Sequence, residues 1–239
     1  MSSITEQILK LKKERNAVIL AHNYQRGEVQ DIADFVGDSL ELSQQAAKTE
    51  ADVIVFCGVH FMAETASILN PHKVVLLPDA SAGCPMANMI TAEQLREKKQ
   101  ELPYAAVVTY INSSAAVKAE SDYCCTSANG VRVVQHVSNN DILFVPDQYL
   151  GAFIAARTGK NMTLWPGYCP THVKILPEDI QQRKKEHPRA KVVVHPECRP
   201  DVIALADEAL STSGMIRYAA RPEVAELIVG TEIELLHRL

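Results

Sequence analysis

The chain has 239 residues, 47% of them apolar and 22% charged, with a formal net charge of −5. That length allows one or two conventional domains, and the acidic balance without a long Lys/Arg run argues against a nucleic-acid or polyanionic-membrane partner. No apolar stretch approaches about 18 residues, so no membrane span is expected. Residues 1–13 lack a signal-peptide core, and a cytoplasmic location is expected.

Three stretches share one order of signals, which marks an internal repeat. The first opens at Thr5-Glu6-Gln7, with Ser3 and Glu6 at capping-box spacing. Its Lys-rich amphipathic helix leads to a predicted strand at 17–21 and then to His22-Asn23-Tyr24. The second opens at Thr91-Ala92-Glu93, with Thr91 and Gln94 as the box, and runs through a strand at 105–109 to Tyr110-Ile111-Asn112. The third opens at Pro177-Glu178-Asp179, where Pro suits a first helical turn, and runs through a strand at 191–194 to His195-Pro196-Glu197.

The spacing locks these stretches together. Glu6 to His22 is 16 positions, while Glu93 to Tyr110 and Glu178 to His195 are both 17. His22 to Ser39, Tyr110 to Ser127 and His195 to Thr212 are each 17. A second strand is predicted at 53–56, 142–145 and 226–229, followed by a helix at 59–69, 149–157 and 232–239. In the first two stretches a third strand follows, at 74–77 and 162–165, and then a Pro-containing loop with one cysteine, Cys84 or Cys169.

Strands alternating with helices imply parallel sheets. The predicted fold is therefore α/β: three pseudo-threefold-related α/β units with small parallel sheets around a central active site. Their bounds are 1–88, 89–173 and 174–239, and the third is incomplete. The competing reading is a single doubly wound sheet.

In open α/β sheets ligands bind beyond the C-terminal strand ends, where the polar groups above fall. Ser39, Ser127 and Thr212 each precede a helical segment and read as N-caps, whose N–H groups and dipole suit a carboxylate or phosphate. Residues two apart on extended chain face the same way. His195 and Glu197 would thus form an acid–base pair, with Tyr24 beside His22 and Asn112 beside Tyr110.

Six cysteines stand at 57, 84, 124, 125, 169 and 198. In a cytosolic chain they read as reduced thiols or metal ligands. No C-x-x-C pair is present, so a metal site must gather distant cysteines. Cys84 and Cys169 occupy matching Cys-Pro loops and are the candidate thiolates for a soft metal or iron–sulfur cluster. Cys57 reads as core, and Cys57, Cys124, Cys125 and Cys198 are assigned no role. Trp165 reads as a packing residue, and His60, His72, His136, His187 and His237 as surface or packing residues.

Together Ala21-His22-Asn23-Tyr24, Gly37-Asp38-Ser39, Cys84-Pro85-Met86-Ala87-Asn88, Tyr110-Ile111-Asn112-Ser113, Thr126-Ser127-Ala128-Asn129, Cys169-Pro170-Thr171-His172, His195-Pro196-Glu197-Cys198 and Gly230-Thr231-Glu232 resemble the quinolinate synthase family. The resemblance runs from the first helix to the last residue. It implies condensation of iminoaspartate with dihydroxyacetone phosphate to quinolinate, phosphate and water, in NAD biosynthesis, downstream of an iminoaspartate-producing enzyme. It implies a [4Fe-4S] cluster on three cysteines, two of which match Cys84 and Cys169. It further implies a dicarboxylate held by His22, Ser39, Tyr110, Asn112, Ser127, His195, Glu197 and Thr212, with proton transfer by Tyr24, His195 and Glu197.

Ser39 to Cys84 is 45 positions and Ser127 to Cys169 is 42, so the same steps from Thr212 place a third cysteine at about 254–257, past Leu239. The spacing therefore predicts that this chain lacks the third ligand, and that by itself it holds no stable cluster and makes no quinolinate. The alternative function is a cluster-free, catalytically inactive ligand-binding fragment of the same fold.

Overall fold

The computed structural model describes residues 3–239. The first stretch contains α1 (Ile4–Glu14), β1 (Ala17–His22), α2 (Gly27–Ile32), β2 (Phe35–Gly37), α3 (Ser39–Lys48), β3 (Val53–Cys57), α4 (His60–Leu69) and β4 (Val74–Leu76). The second contains α5 (Ala92–Glu101), β5 (Ala106–Tyr110), α6 (Ala115–Ala119), β6 (Tyr123–Cys125), α7 (Gly130–His136), β7 (Asp141–Val145), α8 (Gln148–Thr158) and β8 (Asn161–Leu164). The third contains α9 (Pro177–Glu186), β9 (Lys191–Val194), α10 (Pro200–Ile203), β10 (Glu208–Ala209), α11 (Thr212–Ala219) and β11 (Leu227–Gly230).

Among the described residues these strands form three wholly parallel sheets, ordered β2-β1-β3-β4, β6-β5-β7-β8 and β10-β9-β11. Each is wound alike: the first strand of the stretch is central, the second flanks it on one side and the third on the other. A single doubly wound sheet is thereby ruled out, and the third sheet is smaller than the others. The central strands are rich in branched apolar residues because both faces are covered. All of β5 is buried, as are Val192, Val193 and Val194 of β9. Leu95, Val107, Val117 and Leu143 form the core beneath the second sheet. Ile180, Val192, Val194 and Val202 form that of the third.

One side chain repeats with the sheets. The backbone N–H groups of Asp34, Asp122 and Asp207 donate to the carbonyls of Ile19, Val107 and Val192 at 2.9, 3.0 and 2.8 Å. In return each aspartate's Oδ2 accepts the N–H of that same central-strand residue at 2.8 Å. A carboxylate thus completes the ladder where the short flanking strand begins. It satisfies a strand N–H that would otherwise lack a partner at that edge.

The capping boxes at Ser3/Glu6 and Thr91/Gln94 form as the spacing predicts, and Pro177 opens α9. Three local readings are corrected. The edge strands β2, β6 and β10 escape sequence detection, because two or three residues are too few to show a period. The segment at 232–239 is not an α-helix but a 3-10 turn, Ile233–Arg238. Ser39, Ser127 and Thr212 are not N-caps. Asp38 caps α3 and Ser211 caps α11, which makes Ser39 and Thr212 the first helical residues. Asn129 precedes α7, and Ser127 lies in the turn before it.

By contact density the chain separates into two compact units. One runs to Cys84 and takes in Ile233–Arg238; the other comprises Pro85–Glu232 with Leu239. Within the first, Gln30 Nε2 donates to the Glu234 carbonyl at 3.4 Å and His237 Nε2 meets Asp31 Oδ1 at 2.8 Å, tying the last turn to α2. No helix among the described residues is long and apolar enough to cross a membrane.

Candidate active site

In the larger unit, polar side chains gather at the C-terminal ends of two sheets, where parallel strands leave backbone and side chains for a ligand. Tyr110 ends β5. His195 and Glu197 follow β9, Cys169 and His172 follow β8, and Thr231 follows β11. These are short loops leaving buried strands, so each side chain is aimed by the sheet behind it.

Glu197 is the hub and is 3% exposed. Its Oε1 accepts the Tyr110 hydroxyl at 2.5 Å, and its Oε2 lies 2.8 Å from His172 Nδ1 and 3.6 Å from His195 Nδ1. His172 Nδ1 is also 3.1 Å from Cys169 Sγ, while its Nε2 meets Thr231 Oγ1 at 2.9 Å. The rings of His172 and His195 stack with centroids 4.7 Å apart. His195 Nδ1 accepts the Glu197 backbone N–H at 3.3 Å, which fixes the turn around Pro196.

Burial opposes the Glu197 charge. The positive charges of His195 and His172, with hydrogen bonds from His172 and Tyr110, outweigh burial and bring its pKa down to about 2. Asp147, fully buried at the end of β7, goes the other way. Burial and the nearby Glu197 charge raise its pKa well above the ordinary range, against the pull of the Leu150, Tyr149 and Cys169 amides. Its Oδ1 caps α8 through Tyr149 and Leu150 at 2.8 and 2.9 Å, and its Oδ2 makes no hydrogen bond of ordinary geometry among the described residues.

The cysteine loop is fastened at the same place. Asp147 bridges Gly167 in parallel register, and the Gln148 N–H donates to the Gly167 carbonyl at 2.9 Å. Only glycine fits at 167, since a Cβ there would stand 2.4 Å from the Pro146 carbonyl oxygen. Trp165 packs against the core and donates its Nε1–H to the Met89 carbonyl at 2.8 Å, the structural role its sequence context suggests.

The sequence expectations can be followed residue by residue. Tyr110, His195 and Glu197 come together. Asn112 sits two residues beyond Tyr110, with its amide oxygen buried and without a hydrogen-bond partner among the described residues. In the smaller unit His22 ends β1, and its ring lies edge-on to Tyr24 at 4.8 Å. Its Nδ1 accepts the Tyr24 N–H at 3.2 Å, the same i, i+2 turn as His195 and Glu197. Ser39 opens α3, and Cys84 precedes a 3-10 turn at Pro85–Asn88.

His172, Asp147 and Thr231 were missed as site residues. His172 and Thr231 stand in motifs quoted for the family; Asp147 and Thr231 lie just past strand ends, where strand-end logic would have found them, while His172 lies eight positions past β8, beyond its reach.

Cys84 and Cys169 are partly exposed. Burial raises the thiol pKa of Cys57, Cys124, Cys125 and Cys198, with Cys198 pushed up to about 12. Thiolate ligation is thereby disfavoured at those four positions. Cys57 is only partly buried, short of the core position its strand suggests. Of His60, His72, His136, His187 and His237, all are exposed.

A parallel α/β repeat carries at its strand ends a buried, charge-paired glutamate beside histidines, a tyrosine and a thiol, an arrangement suited to acid–base chemistry and able to offer donors to a metal ion. Residues 6–239 match the family described as Quinolinate synthetase A protein. Over 236 residues the chain is 64% identical to a quinolinate synthase of Dehalococcoides mccartyi strain CBDB1, covering 99% of this chain and 78% of the relative. It is 59% identical to a quinolinate synthase of Desulforudis audaxviator over 237 residues, with 99% and 78% covered. It is also 59% identical to quinolinate synthase 2 of Methanosarcina acetivorans over 236 residues, with 99% and 76% covered. The chain belongs to the quinolinate synthase family, a family of condensing enzymes of NAD biosynthesis. Identity at this level along the whole chain does not favour the inactive ligand-binding fragment as an alternative.

Proposed function

We propose that the chain condenses iminoaspartate with dihydroxyacetone phosphate to quinolinate, releasing phosphate and water, downstream of an enzyme that makes iminoaspartate. The observation that carries this reading is Glu197: a buried carboxylate held charged by His172 and His195 and gripped by Tyr110. Ring closure needs protons taken from carbon and nitrogen and given to departing oxygens. A preorganised carboxylate with imidazole and phenol partners is suited to both directions.

In this reading Tyr110, Asn112, Ser127 and Thr212, with His22 and Ser39, hold the two carboxylates of the substrate. Ser39 and Thr212 stand on the first turns of α3 and α11, at the positive end of each helix dipole. The buried, unpartnered Asn112 amide oxygen suits a ligand N–H or O–H donor. His195 and Glu197 contribute to substrate binding as well as to proton transfer, and Tyr24 supplies a second hydroxyl for proton transfer.

Cys84 and Cys169 fit as cluster ligands: both are incompletely buried, and both stand in Cys-Pro loops. A four-iron cluster held on three cysteines, of which Cys84 and Cys169 would be two, would leave one iron open as a Lewis acid for a substrate oxygen. Incubation of the anaerobically reconstituted chain with iminoaspartate and dihydroxyacetone phosphate tests the proposal, and decides it against the expectation from spacing that this chain by itself holds no stable cluster and makes no quinolinate. Quinolinate and phosphate should appear together in equal amounts; phosphate without quinolinate, or neither product, would contradict it.

A further inference from the structure

Three side chains of the candidate site have the makings of a mononuclear metal site that shares only Cys169 with the cluster ligands. Cys169 Sγ, His172 Nδ1 and a Glu197 carboxylate oxygen lie within 4.8 Å of one another. Sulfur, imidazole nitrogen and carboxylate oxygen form a donor set typical of zinc, at bond lengths of about 2.0–2.3 Å in a tetrahedron. Such bonds separate tetrahedral donors by about 3.3–3.7 Å. The observed 2.8 and 3.1 Å from His172 Nδ1 to Glu197 Oε2 and Cys169 Sγ fall a few tenths of an ångström short of that. A small outward movement of the two partners would admit an ion in place of the shared proton.

We propose that the chain, when it carries no iron–sulfur cluster, binds a divalent zinc-like cation through Cys169 Sγ, His172 Nδ1 and Glu197 Oε2. Beyond the donors themselves, the atoms that would not touch the ion are already held. His172 Nε2 is fixed by Thr231 Oγ1 at 2.9 Å, and Glu197 Oε1 by the Tyr110 hydroxyl at 2.5 Å. Outer partners of this kind orient the ligands of metal sites. Cys169 is partly exposed, which leaves the ion a route in and a fourth position for water.

The cation and the cluster exclude one another, because both require the Cys169 thiolate. The cation also occupies the Nδ1 and Oε2 that proton transfer would use, so the loaded form is an inhibited state. The binding inference stands on these three side chains; only the inhibited character of the loaded form rests on the proposed function.

The test is anaerobic titration of the reduced, metal-free chain with Co²⁺, read by absorption. A 1:1 species should appear, with a thiolate charge-transfer band in the near ultraviolet and tetrahedral bands in the visible, and Zn²⁺ should displace it. Cys169→Ser should remove the charge-transfer band. His172→Ala and Glu197→Gln should each weaken binding at least about 100-fold, and Thr231→Val, which keeps all three ligands, about 10–100-fold. Circular dichroism identifies any variant that has not folded, and Thr231→Val then carries the comparison. A charge-transfer band that survives in Cys169→Ser, or an affinity unchanged in folded His172→Ala or Thr231→Val, would place the ion elsewhere and overturn the inference.

Discussion

Tyr110 and Glu197 are 87 positions apart in the chain, yet a buried hydrogen bond of 2.5 Å joins the phenol to the carboxylate. The bond links the end of the central strand of the second sheet to the end of that of the third. Tyr110→Phe removes the donor and leaves a buried charged oxygen with one partner fewer. The expected cost is about 1–3 kcal/mol of stability, read as a lower urea midpoint with an unchanged slope. An unchanged midpoint would mean that the bond contributes nothing to holding the two strand ends.

The low pKa of Glu197 has a sign that can be measured. Its carboxyl titrates at about 2 in the folded chain against an ordinary 4.5. A group held low on folding adds stability that is fully present above the ordinary pKa and is lost as pH falls through the folded one. The stability difference between the wild type and Glu197→Gln should therefore be largest above pH 4.5 and close progressively toward pH 2. Denaturant titrations at several pH values across that window read it, and a difference independent of pH would count against the ionised, paired state.

Asp147 should behave in the opposite sense. Its carboxyl is raised from an ordinary 3.8, so the folded chain binds that proton more tightly and loses stability as pH climbs above 3.8. Asp147→Asn keeps an oxygen to cap α8 and discards the charge that repels Glu197. It should be at least as stable as the wild type at neutral pH, with its advantage shrinking in acid. Asp147→Ala, which loses the cap as well, should cost about 0.5–2 kcal/mol. A destabilised Asp147→Asn at neutral pH would show that the Asp147 charge has a compensating partner.

The repeat is where sequence and structure agree most closely. Strand residues, capping boxes and equal steps from His22, Tyr110 and His195 to Ser39, Ser127 and Thr212 are all local signals of spacing, and spacing survives in a linear text. The common winding of the three sheets follows from it. What escaped was short or relational. Strands such as Glu208–Ala209 have no period to display. Asp34, Asp122 and Asp207 each stand five positions before Ser39, Ser127 or Thr212, but their bond to a central-strand N–H is visible only once the strands pair. The cap moved from Ser39 to Asp38 because either side chain can accept the same N–H groups. Here Asp38 also gains the reciprocal bond from its own N–H to Glu41 Oε2.

The candidate site shows the same division. Tyr110, His195 and Glu197 were legible as strand-end polar residues. The chain from Glu197 through His172 to Thr231 was not, since no spacing rule brings His172 from one loop and Thr231 from another onto that carboxylate. Asp147 was not singled out in the sequence, and the structure shows it first as the cap of α8. Only burial and the Glu197 charge beside it give it a second character.

The most direct measurement is the rate of quinolinate formation by the cluster-reconstituted chain and by its Glu197→Gln variant, under identical anaerobic conditions and with folding verified for both. If Glu197, held charged by His172 and His195, is the acid–base centre, the variant should turn over about 10²–10⁴-fold more slowly while retaining its fold. A folded Glu197→Gln that forms quinolinate at the wild-type rate would contradict the assignment of the chemistry to this cluster of side chains.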